Sequence, residues 1–217
     1  MAPGLCGTCI HCRLIRSDRG SVFYLCGMAL RQPDRFTKYP HIPVRECYGW
    51  MGLRHATAED VPQIQKIYGH WVTTGIGSFE TDPPSEAEML SRMQSVQSHK
   101  LPYLVAETPE LQIAGYAYCT PYRPRQAYRF TVEDSVYIHP DFAGQGIGNA
   151  LLQALIADCS SKGYKQMIAV IGGGMENAGS VALHAKCGFE HAGNLNAVGY
   201  KFDRWLDTAF MQRSLEP

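Results

Sequence analysis

Three groups of residues in this chain have the types and spacing to do chemistry. The first is the run Val136-Tyr137-Ile138-His139-Pro140-Asp141-Phe142-Ala143-Gly144-Gln145-Gly146-Ile147-Gly148-Asn149. An apolar strand ends near His139, a glycine-rich turn comes next, and a leucine-rich helix begins inside it. Glycines take positive φ and let a backbone approach a ligand closely. The unpaired N–H groups of the helix start then point outward beside the positive end of the macrodipole, which suits an anion such as a pyrophosphate. No Lys-Ser/Thr follows the glycines, and no G-x-G-x-x-G with a downstream acid is present, so this is neither a P-loop nor a dinucleotide fingerprint.

The second group is Glu133, in the strand just before that loop and within a mostly apolar run. A carboxylate in such surroundings has a raised pKa and suits a general base. The third is a cluster of cysteines. Of eight in the chain, Cys6, Cys9, Cys12, Cys26 and Cys47 precede residue 48, spaced C-x2-C-x2-C-x13-C-x20-C. Cys6, Cys9, Cys26 and Cys47 suffice for a tetrahedral thiolate zinc site, and Cys9 with Cys12 serves equally as its first pair. C-x2-C-x2-C also fits iron–sulfur ligation, and His11 and His41 are alternative ligands. Disulfides are the other way to staple a small fold, but no export signal accompanies them. Cys119, Cys159 and Cys187 sit in strand or helix patterns and read as packing residues.

The elements that must position these groups fall into two stretches. Residues 1–50 hold little periodic apolar sequence, with only Ser21–Cys26 reading as a strand, and carry seven Lys/Arg against three Asp/Glu. Such a segment folds on burial alone with difficulty, so a metal staple is expected there. Residues 51–217 form the second stretch. Strands are expected over Leu53–Thr57, Tyr103–Glu107, Ile113–Thr120, Thr131–His139 and Gln166–Ile171, with two more around Trp205. Helices are expected over Glu59–Tyr68 after a Thr57 cap, Ser85–Val96 with a Ser85/Glu88 capping box, Gly148–Ser161 and Asn177–Cys187. This order is that of a mixed α/β domain.

The segment H-P-x-x-x-G-x-G-I-G resembles the acetyl-CoA loop of the GNAT superfamily of N-acetyltransferases, whose common pattern is Gln/Arg-x-x-Gly-x-Gly/Ala. Ala143 stands where Gln or Arg is usual, and Gly146 and Gly148 fall as expected. Asn177-Ala178-Gly179-Ser180-Val181-Ala182-Leu183-His184-Ala185-Lys186-Cys187-Gly188-Phe189 is similar to a second element of that superfamily, with Ala185 in place of the usual Glu. Tyr122–Glu133 with Ser135-Val136-Tyr137, Ala169–Gly172, and Ala197–Lys201 with Trp205, Asp207 and Gln212 narrow the resemblance to the phosphinothricin acetyltransferase branch. It runs from about residue 52 to 215.

The resemblance implies an α/β fold with a GNAT-like mixed central sheet flanked by helices, preceded here by the small Cys-rich segment. It implies acetyl-CoA as cosubstrate and direct transfer to the amine of a small amino acid of the phosphinothricin, methionine sulfone or methionine sulfoximine type. It implies Glu133 as base and His184 as acid near the sulfur. Val136, Tyr137, Ile138, Gly144, Gln145, Gly146, Ile147, Gly148, Asn149, Asn177 and Ser180 would hold the CoA. Arg125 and Tyr128 would clamp the substrate carboxylate, with Phe79 and Thr81 lining the same pocket. Relatives of this branch are often homodimers. Acetyl transfer to a different amine, and a CoA-binding sensor without catalysis, are the competing readings; Ala143 and Ala185 keep the sensor open.

Composition agrees with a globular protein: 45% hydrophobic, 18% charged, and a formal net charge of zero. Balanced charge argues against bulk binding to nucleic acid or an anionic membrane. The apolar runs are too short for a membrane span, and the first residues lack the features of a signal peptide, so a cytoplasmic location is expected.

Overall fold

The computed structural model of the chain describes residues 4–18, 20–40, 42 and 51–216. They fall into two compact units. One gathers the described residues up to Arg54 together with Ala106–Gln112, and the other holds His55–Val105 and the residues from Ile113 on. Within the first unit Arg54 grips the Glu107 carboxylate through two hydrogen bonds of 2.6 and 3.1 Å.

The first unit contains an antiparallel hairpin of β1 (Cys12–Arg16) and β2 (Val22–Cys26). Its first strand, Cys-Arg-Leu-Ile-Arg, is largely exposed and gives no sequence alternation to read. Cys12 stands opposite Cys26 across the ladder, Cys9 bridges to Gly52, and Cys6 lies in a short 3-10 turn. Among the described residues no group of three or more His, Cys, Asp or Glu side chains is placed to hold a metal ion. Cys12 lies within reach of Cys6, Cys9 and Cys26, its thiol pKa raised first by burial and then by Cys9, with a hydrogen bond to Cys6 pulling the other way. The four are nevertheless not arranged as the zinc or iron–sulfur donor set expected of them. Cys47 and His41 lie outside the described residues.

The remaining elements come in the order β3 (Gly52–His55), α1 (Val61–Thr74), α2 (Glu86–Ser98), β4 (Tyr103–Glu107), β5 (Ile113–Pro121), β6 (Thr131–Ile138), α3 (Ile147–Ser161), β7 (Gln166–Gly172), α4 (Ala178–Lys186), β8 (Glu190–Lys201) and β9 (Arg204–Ser214). The seven strands are ordered β3-β4-β5-β6-β7-β9-β8. β6 and β7 are parallel, whereas β5 with β6, β7 with β9 and β8 with β9 are antiparallel, so the sheet is mixed as expected. Thr57 and Asp60 form a capping box ahead of α1, and the Ser85 hydroxyl accepts from the Glu88 N–H at 3.2 Å to start α2. Helix α1 continues past the expected Tyr68 through Gly69 to Thr74.

Strand alternation sorts the central side chains onto two faces. Tyr116, Tyr118 and Thr120 of β5 stand opposite Tyr137, Ser135 and Glu133 of β6. This face meets α1, where the Tyr68 ring contacts Tyr137 edge-on at 5.0 Å. The other face carries Ala117 and Cys119 opposite Val136 and Asp134. It meets α3, whose Cys159 sulfur lies 3.6 Å from that of Cys119. Leu151, Leu152 and Leu155 of α3 are fully buried and fill the core on that side. No helix among the described residues is long and apolar enough to cross a membrane.

Candidate active site

The site arises from a parting of two parallel strands. β6 and β7 are paired only from Thr131–Gln166 to Asp134–Ala169, although β6 runs on to Ile138 and β7 to Gly172. Each strand is held from outside instead: β5 follows β6 as far as Ile138, and β9 follows β7 as far as Gly172. The facing backbone edges beyond Asp134 are therefore left open toward each other. A cavity of about 940 Å³ occupies the wedge, with Ser135–Ile138 on one side and Ala169–Ile171 on the other.

Three further elements close its walls. The glycine loop brings the start of α3 to the mouth of the wedge. Gly144 and Gly146 adopt φ of 73° and 88°, a left-handed conformation that glycine takes without strain. A Cβ on Gly144 would meet nothing within 4 Å, so it is the backbone turn and not crowding that calls for glycine there. The start of α3, residues 146–149, lines the cavity, and the first N–H groups of a helix have no partner within it, which suits an anion cradle. The segment Gly75–Ser78 after α1 forms a second wall. It is clamped by the buried Lys201, whose Nζ donates to the carbonyls of Gly75 at 2.9 Å and Ser78 at 2.7 Å. It also lies so close to β7 that a Cβ on Gly172 would come within 2.7 Å of the Ile76 and Gly77 carbonyl oxygens. Helix α4 is the third wall, and Asn177 before it donates from Nδ2 to the Gly172 carbonyl at 3.2 Å.

Most of the residues assigned to CoA from sequence line this cavity: Val136, Tyr137, Ile138, Gly144, Gly146, Ile147, Gly148, Asn149, Asn177 and Ser180. Gln145 does not; its side chain turns back to donate to the Asp141 carbonyl. The Ile138 carbonyl accepts from the Trp71 indole N–H at 2.7 Å, so this group is already engaged. His184 lines the cavity and is buried, with Nε2 3.0 Å from Asp134 Oδ2 and Nδ1 2.8 Å from the Ser180 carbonyl. Burial alone would lower its pKa, but the hydrogen bond and charge of Asp134, with the Ser180 carbonyl, outweigh burial and raise it.

Glu133 stands on the other face, half-buried beside the tyrosine row. Its pKa is raised, first by burial and then by the neighbouring Asp134 charge, with Arg123 pulling the other way. The residues assigned to the amine substrate are scattered. Arg125 and Tyr128 are exposed around a 3-10 turn between β5 and β6, Thr81 is exposed and donates to Asp82, and the Phe79 ring covers Gly199 of β8. None of the four lines the wedge cavity.

Sequence reasoning missed Trp71, Lys201 and Asp134. Trp71 lies beyond where the helix was expected to end, Lys201 sits among exposed hairpin residues, and only the strand register shows which face Asp134 takes.

Comparison with known proteins bears on this geometry. A profile described as the acetyltransferase (GNAT) family matches residues 64–189. Phosphinothricin N-acetyltransferase from Alcaligenes faecalis is 54% identical over 163 residues, covering 75% of this chain and 82% of that protein. L-methionine sulfoximine/L-methionine sulfone acetyltransferase from Pseudomonas aeruginosa is 38% identical, covering 76% of this chain and 95% of its own length. The crystal structure of a phosphinothricin acetyltransferase from Sinorhizobium meliloti in complex with acetyl-CoA superposes with a TM-score of 0.73 at 48% identity, covering 76% of this chain and 88% of that one.

Proposed function

The chain belongs to the GNAT acetyltransferase family, and we propose that it transfers the acetyl group of acetyl-CoA directly to the amine of a small amino acid carrying a polar tetrahedral side-chain group. Phosphinothricin, methionine sulfone and methionine sulfoximine are the acceptors of this type. The observation that carries the reading is the wedge between β6 and β7, opening onto the glycine turn at the start of α3. A cosubstrate with a long narrow arm and a pyrophosphate fits such a place, arm in the wedge and phosphates at the helix start. The activities for which the Alcaligenes and Pseudomonas relatives are named support the choice of acceptor.

Two substrates bound side by side need no covalent enzyme intermediate, because proximity supplies much of the rate. Glu133 has the raised pKa that suits a base accepting the ammonium proton, directly or through water. Arg125 and Tyr128 are our assignment for the acceptor carboxylate, with Phe79 and Thr81 beside them. Exposed Leu195, Val198, Tyr200 and Trp205 on the β8–β9 hairpin support a homodimer built on that face.

A thiol-release assay with acetyl-CoA and a panel of amines tests the reading. Turnover is expected with methionine sulfone, methionine sulfoximine or phosphinothricin and not with polyamines or peptide N-termini. Tight acetyl-CoA binding with no thiol released by any acceptor would instead establish a sensor.

A further inference from the structure

Glu133 and Asp134 are consecutive on β6, so their side chains leave the strand on opposite faces. Glu133 joins the tyrosine face. Asp134 joins the α3–α4 face and meets His184 there, Oδ2 to Nε2 at 3.0 Å. Asp134 is 6% and His184 4% exposed, and both line the wedge cavity. The other ring nitrogen of His184 lies 2.8 Å from the Ser180 carbonyl. A carbonyl oxygen only accepts, so Nδ1 carries a proton. The carboxylate also accepts, so a second proton lies between Nε2 and Oδ2. The Phe189 ring meets the imidazole edge-on at 5.0 Å. Oδ1 of Asp134 has no hydrogen-bond partner among the described residues, so His184 is its one close counter-charge there. Glu133, Cys119 and Cys187 feel the Asp134 charge, and Lys186 of α4 lines the same cavity. None of these four hydrogen-bonds to the pair.

We propose that Asp134 is a positioning residue for acetyl transfer, holding His184 at the cavity wall as a fixed imidazolium. The proposal rests on the reading of the wedge as the acetyl-CoA site. Both N–H groups of His184 are committed to Asp134 and Ser180, so His184 acts through its charge and not as the proton donor that its sequence position suggested. In the step itself the amine nitrogen bonds to the acetyl carbon and its proton passes to Glu133. The C–S bond breaks with its electron pair going to sulfur, and the thiolate departs stabilised by the cation across the wedge. Base and cation thus stand on opposite faces of one strand.

Nitrogen-15 NMR of the imidazoles in the full chain is the direct measurement. At mildly alkaline pH, above the range where a free imidazole is charged, the wild type should show one histidine with both nitrogens protonated. That signal should vanish in His184→Asn. It should become a singly protonated ring in Asp134→Asn, whose amide is isosteric and can donate to Nε2. A neutral His184 in the wild type under these conditions would overturn the proposal without any variant having to fold. Kinetically, Asp134→Asn should lower kcat about tenfold or more while the KM for acetyl-CoA stays within about twofold. A wild-type kcat, or a loss confined to KM, counts against the positioning role while leaving acetyl transfer intact. Absence of turnover in the wild type itself would overturn the acetyl-transfer reading and this role with it.

Discussion

Glu133 and Asp134 show what one position of strand register does to two carboxylates. Glu133 has its pKa raised by burial and by Asp134. A raised folded-state pKa means that the protonated form is the one the fold favours. The stability linked to Glu133 is therefore complete below the ordinary carboxyl range, near pH 4.5, and is lost as pH rises through the shifted value. At neutral pH the ionised base is held at a cost to the fold. Glu133→Gln should accordingly lower kcat about a hundredfold or more while its melting temperature equals or exceeds that of the wild type at pH 7, the difference growing upward from the carboxyl range. Paired thermal melts and turnover assays across pH check both halves, and a variant less stable at pH 7 would contradict the assigned cause. Glu133 was legible in the sequence because an acid inside an apolar strand stands out. Asp134 was not, since nothing in the chain order says that the next residue turns to a histidine fifty positions later.

At the level of elements, the parts that obey local rules were readable and the parts held by distant contacts were not. The caps of α1 and α2 and the nearly all-apolar β7 are legible in sequence because short-range chemistry decides them. The last turns of α1 are not, because Gly69 and the run Val72-Thr73-Thr74 are weak helix formers. They persist because Trp71 reaches the Ile138 carbonyl and Val72 is fully buried. The path of the chain leading to Phe79 and Thr81 was likewise not readable, because Lys201 on β8 holds Gly75 and Ser78 just before them. The Lys201 ammonium donates two hydrogen bonds to backbone carbonyls, each worth about 1.5–3 kcal/mol when one group is ionised. Lys201→Met keeps the stem and removes both. It should lower the melting temperature by roughly 5 °C or more and raise the KM for acetyl-CoA, since Gly75–Ser78 forms a wall of the cavity. Unchanged protease sensitivity of that loop, with an unchanged KM, would show that the clamp is dispensable.

For the whole molecule, the uneven placement of cysteines and charge sets the expected boundary at residue 50, while the first compact unit of the structure runs to Arg54 and also takes in Ala106–Gln112. The change in composition was legible because a Cys-rich, aperiodic, basic stretch differs from the α/β stretch after it. The stapling of that Cys-rich stretch was not, because cysteine spacing states how many thiols are available and not the geometry in which Cys6, Cys9, Cys12 and Cys26 meet. The Pseudomonas relative has 95% of its length matched by 76% of this chain, so the transferase fold is complete without a counterpart to the remaining quarter. The wedge agrees, for every residue lining its cavity lies between Trp71 and Lys186. Removal of residues 1–50, which keeps all of β3, should therefore leave kcat/KM for the preferred amino acid within about twofold of the full chain. A melting temperature some degrees lower is compatible with this, because β3 loses the bridge from Cys9 to Gly52 while the wedge keeps its strands. A truncated chain that folds, binds acetyl-CoA and yet loses its turnover would instead assign the front segment a part in acceptor binding. The same panel of amines, run on both chains, separates a lost acceptor from a lost catalyst.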